Sequence, residues 1–293
     1  MTTLRGLGAV AAAATFLLIS ACAQAGTDGG AGAAPSSSPP GSPAGADGLV
    51  LRVSHSGGFV GPDALAGRLP DLSVYADGRM IFEGPVTAIY PGPALPNVQV
   101  RMISPQQVRD LVERAVAAGV RSGADLGQPG VADATTTEVT VVTAAGEQTV
   151  AANALREARD DDPQLTPAQR QARAKLQGFI DQADKLAAGP GAQPYKPEVL
   201  AAIVTPWVEP GDDLPGRPAG KEWPGPALPG EPLTPALKLS CVTATGDQLD
   251  AILAAAKDAT ARTPWISGGN GWTVRFRPLL PGETGCADLK AAR

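Results

Sequence analysis

The chain carries few of the residues that usually perform catalysis. His55 is the only histidine, so a histidine-based triad or metal cluster would depend on this one side chain. The sequence contains no Gly-x-Ser-x-Gly elbow, no His-Glu-x-x-His zinc motif and no Ser-x-x-Lys motif. We therefore predict no catalytic residue, no metal site and no cofactor, and we expect His55 to be dispensable. A catalytic pair of carboxylates, as in glycoside hydrolases, stays possible. Two such residues can meet in the folded chain without being close in sequence.

The run Asp160-Asp161-Asp162 could suggest a calcium site. Calcium loops need alternating oxygen ligands, a glycine turn and a distal glutamate, which this run lacks. The run precedes a predicted helix, where carboxylates interact favourably with the positive end of the helix dipole. We interpret these aspartates as structural.

Cys22 lies in a context typical of covalent lipid attachment. It follows Ile19-Ser20-Ala21 directly, at the end of the apolar segment 7–19, and the only charge before it is Arg5. One basic residue, about a dozen apolar residues and a small-residue exit form the pattern of an export signal. The stretch resembles the lipobox of bacterial lipoproteins. This resemblance implies that residues 1–21 are a signal peptide and that Cys22 carries the acyl chains.

Two alternatives to lipidation stay open. An uncleaved membrane helix would need about 20 apolar residues, and segment 6–23 is only marginally long for that role. Basic residues usually follow a membrane-spanning segment, yet no Lys or Arg occurs between this segment and Arg52. The second alternative is ordinary cleavage after Ala23 or Ala25, which would release the protein.

Residues 22–48 are predicted to form the lipidated cysteine and a tether. Apart from a few polar residues, the stretch after Cys22 consists of Gly, Ala, Ser and Pro, so it has almost nothing to bury. With an acyl anchor, this arrangement places the protein on the extracytoplasmic face of the cell membrane. The formal net charge of −5 argues against nucleic acid as a partner, because such binding rests on Lys and Arg.

The two remaining cysteines, Cys241 and Cys286, form an even pair in a chain predicted to be exported. Outside the cytoplasm such a pair is more typical of a disulfide than of a metal site or a catalytic thiol. Cys241 follows Leu237 and Leu239 in an alternating pattern that directs its thiol toward a buried face. We predict a disulfide between Cys241 and Cys286.

All four tryptophans fall in the last third of the chain, and two of them are predicted to lie in loops. Trp207 and Trp223 could form a binding surface, since tryptophan is favoured at binding hot spots. Packing in the core is the competing interpretation, and it suits Trp265 and Trp272 as a cross-strand pair.

Turn signals predict three β-hairpins. Asp77-Gly78 lies between two alternating apolar runs, which is the strongest short hairpin signal, because both turn positions favour positive φ. Gly146 and segment 268–271 give similar signals. Helices are predicted to begin at the capping boxes of Ser104 and Thr166.

A third helix is predicted to follow Thr245 or Asp247. Hairpins packed against about three amphipathic helices predict an α+β fold for residues 49–293. A division of this domain into lobes 49–188 and 195–293 stays open.

The lipobox, the tether and three further segments are similar to uncharacterised lipoproteins of actinobacterial type. These segments are 75–79, 133–137 and 277–281. The resemblance implies a location and brings no activity, ligand or catalytic residue with it. We expect a non-catalytic binding or scaffolding lipoprotein of the cell envelope, whose partner is an envelope protein or glycan. The alternatives are an envelope hydrolase that uses paired carboxylates and a solute receptor, although the receptor's repeated βα pattern is missing.

Overall fold

A computed structural model describes residues 48–209, 211 and 218–291 of the chain, and within them the predicted α+β class is confirmed. The first half of this part forms a seven-stranded sheet whose neighbouring strands all run antiparallel. Its strands are β1 (Leu49–Gly57), β2 (Leu72–Tyr75), β3 (Arg79–Glu83), β4 (Val98–Met102), β5 (Thr135–Thr143), β6 (Gly146–Asn153) and β7 (Gln193–Pro194). Their order across the sheet is β6-β5-β1-β2-β3-β4-β7.

The second half forms a six-stranded sheet. Its strands are β8 (Leu200–Pro206), β9 (Lys221–Glu222), β10 (Glu231–Thr234), β11 (Leu239–Ala244), β12 (Trp265–Ser267) and β13 (Asn270–Pro278). They are ordered β10-β11-β8-β13-β12-β9, and only the β12–β9 pair is parallel. The division into lobes 49–188 and 195–293 stays untested, because β7 lies between these ranges and belongs to the first sheet, and both sheets belong to one compact unit.

Five α-helices occur among the described residues. They are α1 (Pro62–Ala66), α2 (Pro105–Ala117), α3 (Pro167–Ala187), α4 (Gly246–Ala256) and α5 (Asp288–Ala291), and a 3₁₀ turn spans Pro235–Leu237. The capping boxes predicted for α2 and α3 are confirmed. In α2, the Gln107 backbone N–H donates to Ser104 Oγ at 3.2 Å, and the Ser104 N–H donates to Gln107 Oε1 at 2.9 Å. These bonds satisfy N–H groups that a helix start otherwise leaves unpaired.

The three predicted hairpins are also confirmed. Strands β2 and β3 pair around Asp77-Gly78, β5 and β6 pair around the turn before Gly146, and β12 and β13 pair around Gly268-Gly269. Gly78 has a φ of +91°, and an added Cβ would lie 2.5 Å from the carbonyl oxygen of Ile103. The tight approach at Gly78 therefore requires glycine.

Apolar faces pack on both sides of each sheet. On one side of the first sheet, Leu51 and Val53 of β1 face α2 and α3 in the largest core cluster. On the second sheet, β8 and β13 pack against α4 and an aromatic group. The inner faces of the two sheets enclose the C-terminal segment, because Leu279 packs with residues of the second sheet and Leu280 with residues of the first. Side chains on these inner faces can therefore meet although the sheets are far apart in sequence.

Candidate functional site

The predicted lipidation residue Cys22, the signal peptide 1–21 and all of the tether but its last residue lie outside the described residues. Among the residues that are described, none belongs to a helix long and apolar enough to cross a membrane. Lipidation of Cys22 stays a prediction.

The predicted disulfide is present. Cys241 in β11 and Cys286, just before α5, are bonded with their Cα atoms 5.9 Å apart and a sequence separation of 45 residues. Both cysteines are buried among the residues between the sheets. The bridge ties the C-terminal segment to the second sheet.

The prediction that Trp223 contributes to a binding surface is wrong. Only 9% of this residue is exposed, because its ring stacks on Phe276 at 6.2 Å and meets the edge of Trp265 at 5.5 Å. Its indole N–H donates to the carbonyl of Pro226 at 2.6 Å. Trp223 is a core residue whose polar atom is satisfied inside the fold.

Trp207 does reach the surface. It follows β8, and its backbone N–H donates to the carbonyl of Gly271 at 3.1 Å. The half-buried side chain lines a groove of about 520 Å³ together with Pro264 and Ile266. The neighbouring Val208 is 75% exposed. Of the two predicted tryptophans, only Trp207 keeps a partly exposed side chain.

A second apolar surface lies on the loop between β3 and β4. We name residues 85–91 of this loop the apolar loop. Val86, Ile89 and Tyr90 are 73%, 62% and 66% exposed, respectively. This surface was not among the sequence predictions, although an apolar run between Pro85 and Pro91, too short for a helix, could have revealed it.

Backbone contacts hold both ends of the apolar loop. At its start, the Gly84 N–H donates to the carbonyl of Asn97 at 2.7 Å, and Asn97 Nδ2 donates to the carbonyl of Pro85 at 2.7 Å. Beyond its end, the Ala261 N–H donates to the carbonyl of Gly92 at 2.9 Å. The exposed side chains therefore sit on a segment with fixed ends.

A cleft of about 710 Å³ opens at the base of the apolar loop. Its wall includes Pro85 together with three carboxylates, Asp71, Glu83 and Asp184. Desolvation raises the pKa of Glu83 above its ordinary value, the nearby Asp71 charge raises it further, and Arg277 opposes the shift. Desolvation also raises the pKa of Asp184, against the influence of Arg156. The cleft is therefore an acidic surface on which Glu83 and Asp184 hold their protons more tightly than usual.

The arrangement of these carboxylates limits their chemistry. A raised pKa suits a general acid. However, Glu83 and Asp184 both keep much of their side chains open to solvent, and Asp184 Oδ2 accepts a hydrogen bond from Arg156 at 3.2 Å. A glycosidase acid normally lies in a drier site.

His55 has a partner that the sequence did not reveal. It lies in β1, which continues to Gly57. Its Nδ1 lies 2.9 Å from Asp71 Oδ2, and Asp71 precedes β2. This contact ties His55 of β1 to the segment that precedes β2. The prediction that His55 is dispensable stays untested.

The run Asp160-Asp161-Asp162 makes local contacts. Asp161 pairs with Arg159 at 2.9 Å, and Asp162 accepts the backbone N–H of Gln164 at 2.8 Å. No group of three or more His, Cys, Asp or Glu side chains suited to a metal ion occurs within the described ranges.

Models of known protein families, curated proteins and solved structures give no match to this chain. Its function is therefore inferred from its own side chains and geometry.

Proposed function

We propose that the protein is a lipid-anchored binding protein on the extracytoplasmic face of the cell membrane, and that its apolar loop binds an envelope protein. Support for the location comes from Ile19-Ser20-Ala21-Cys22 and from the Gly/Ala/Ser/Pro composition that follows. The resemblance to actinobacterial-type lipoproteins agrees with this location. Two or more acyl chains on one cysteine would give stable anchoring, whereas a single chain would be marginal.

The location has a direct test. Replacing Cys22 with Ser should move the protein from the membrane fraction to the soluble fraction and abolish incorporation of a labelled fatty acid. Two results together would contradict lipid attachment at Cys22. The Cys22→Ser variant would stay in the membrane fraction, and the wild-type protein would incorporate no labelled fatty acid.

The exposure of Val86, Ile89 and Tyr90 on one loop with fixed ends is the observation that supports binding. Burying apolar surface stabilises a complex by about 25 cal/mol per Å². A loop whose ends are already held loses less conformational entropy when it docks than a free segment would. Three exposed apolar side chains within five residues of chain are therefore better suited to a partner than to water.

The chemistry of this surface favours a protein partner. Tyrosine and aliphatic anchors fill pockets on a partner protein and often dominate the binding energy. The carboxylates of Asp71, Glu83 and Asp184 beside the loop suit basic residues at the rim of that partner's pocket. A glycan would instead use Trp207, which lines a separate groove.

Affinity purification of the native lipoprotein from cells tests this proposal. The double variant Ile89→Ser with Tyr90→Ser should lose the co-purifying partner protein while keeping the wild-type unfolding midpoint. Val116→Ser is a matched control, because Val116 is 49% exposed on α2. Recovery of the same partner with the double variant would contradict the role of the loop. If the partner is lost in Trp207→Ala but kept in the double variant, binding of a glycan at the groove lined by Trp207 would be favoured instead.

Glycoside hydrolysis is a second candidate function, favoured by one observation. Glu83 and Asp184 line the same cleft, and both have raised pKa values. An assay for new reducing ends on purified cell-wall polysaccharide tests it. Activity that is lost in Glu83→Gln and retained in Glu113→Gln, on α2, would support hydrolysis. No release of reducing ends by the wild-type protein would contradict it.

A further inference from the structure

A polar cavity of about 240 Å³ lies between the inner faces of the two sheets. Its wall contains three arginines, Arg52, Arg68 and Arg277, but only two glutamates, Glu138 and Glu283. Arg52 and Glu138 come from the first sheet, and Arg277 comes from the last strand of the second. Positive charge is therefore in excess in a space that the protein partly shields from water.

Partners within the protein account for two of the three guanidinium groups. Arg277 Nη2 donates to Glu283 Oε1 at 2.7 Å. Arg68 Nη1 donates to the backbone carbonyls of His55 and Gly57 at 3.3 and 2.9 Å, which fixes its position without neutralising its charge.

Arg52 is different. Among the described residues, its side chain has no hydrogen-bond or ion-pair partner, and its Nε atom is buried. The Nε atom of Arg277 is likewise buried without a partner. Buried polar groups of this kind are costly unless a bound molecule completes their hydrogen bonds.

From this arrangement we infer that the cavity binds a small molecule through a single carboxylate or phosphate group, held by Arg52. A planar guanidinium presents parallel N–H donors that match the oxygens of such groups. The cavity is several times larger than the roughly 30 Å³ of one water molecule, so it has room for a small organic anion. Glu138 and Glu283 in the wall disfavour ligands that carry several negative charges. This site is independent of the apolar loop.

Inorganic phosphate and acetate are the probes that test the inference, each titrated at constant ionic strength with chloride as the reference salt. We expect one of the two oxyanions to bind with a Kd of about 1 mM. At about 10 mM it should raise the Tm of the wild-type protein by about 3–5 °C above the chloride reference. A response to phosphate alone indicates a phosphate-bearing ligand, and a response to acetate alone indicates a carboxylate.

Three variants connect this response to the cavity. Arg52→Gln should weaken the oxyanion affinity at least about tenfold, because it removes the charge and the paired donors. Glu138→Gln should strengthen the affinity several-fold by removing a negative charge from the wall. Arg121→Gln, at an exposed arginine before β5, should leave the affinity unchanged. The opposite behaviour of Arg52→Gln and Glu138→Gln also distinguishes binding from a general loss of folding.

Two outcomes would overturn the inference. One is a wild-type Tm that responds equally to phosphate, acetate and chloride, because a general effect of salt on stability would then explain the response. The other is an oxyanion affinity that is the same in the wild type, Arg52→Gln and Glu138→Gln, which would place any binding outside the cavity.

Discussion

Arg277 and Glu283 form an ion pair that holds the C-terminal segment between the two sheets. Arg277 is the penultimate residue of β13 with only 3% of its surface exposed, and its Nη2 lies 2.7 Å from Glu283 Oε1. The other carboxylate oxygen of Glu283 accepts the backbone N–H of Leu280 at 2.7 Å. One carboxylate thus neutralises a buried cation and fixes the turn that places Leu280 against the first sheet.

Removing the Glu283 carboxylate should strongly destabilise the protein. Glu283→Ala leaves the buried Arg277 guanidinium without its counter-charge, and breaking one side of a buried ion pair costs about 3–5 kcal/mol. Denaturant unfolding should show this loss. The double variant Arg277→Met with Glu283→Leu should recover most of the stability, because neither charge then remains buried. A cost below about 1 kcal/mol for Glu283→Ala would contradict the assigned role.

The disulfide should contribute a large share of the stability of the C-terminal segment. Its 45-residue separation corresponds to about 4 kcal/mol in the chain-entropy model of a cross-link. Replacing Cys241 and Cys286 together by Ala should lower the free energy of unfolding by about this amount. Mass spectrometry of the protein, digested without reduction, should reveal the joined peptides. Free thiols in unfolded, never-reduced protein would disprove the bridge.

Trp223 and Trp207 should respond differently to truncation. Trp223→Ala removes a buried ring that packs on Trp265 and Phe276, so we expect a loss of about 3–5 kcal/mol in unfolding free energy. Trp207→Ala truncates a half-buried ring at the rim of a groove and should cost about 1 kcal/mol. Equal costs in denaturant unfolding would mean that the two residues have been assigned to the wrong environments.

Local features of the fold could be predicted from the sequence because each depends on a few neighbouring residues. The Asp77-Gly78 turn needs only a glycine at its one position of positive φ, and the Ser104 and Thr166 boxes need only a hydroxyl and a glutamine three residues later. The disulfide followed from the parity of the cysteines in a chain predicted to be exported. None of these predictions required knowledge of which faces would meet.

The burial of Trp223 and the pairing of His55 could not be predicted, because both depend on distant segments. Trp223 is covered by Trp265 and Phe276, and the partner of His55 is Asp71, beyond a helix and a loop. Arg52 illustrates the same limit. The alternation of β1 predicts that its side chain points away from the helices. The cavity on that side forms only because the second sheet, more than a hundred residues later in the chain, contributes Arg277 to the opposite wall.

The Glu83 carboxyl should titrate above its ordinary pKa of 4.5, mainly because of desolvation and then because of the Asp71 charge. A raised pKa in the folded state means that this group favours folding most below pH 4.5. That contribution is lost as the pH rises through the folded-state pKa. Carboxyl-carbon NMR should show that Asp71→Asn lowers the pKa of Glu83.

Asp125 offers an internal reference outside the cleft. Hydrogen bonds from the Gly127 N–H and from Gln169 hold the pKa of Asp125 below its ordinary value of 3.8. Asp71→Asn should leave this pKa unchanged. A Glu83 pKa at or below 4.5 in the wild type, or one that does not respond to Asp71→Asn, would contradict the described electrostatics of the cleft.

Photo-crosslinking from the apolar loop of the full-length protein in living cells tests the proposed binding function most directly. A benzophenone amino acid at position 89 should give a discrete crosslinked species with an envelope protein, and the same group at position 116 should not. The Cys22→Ser background should reduce the yield by removing the protein from the membrane. Crosslinking at position 116 equal to that at position 89, or no protein adduct at position 89, would contradict the proposal that this loop binds a protein partner.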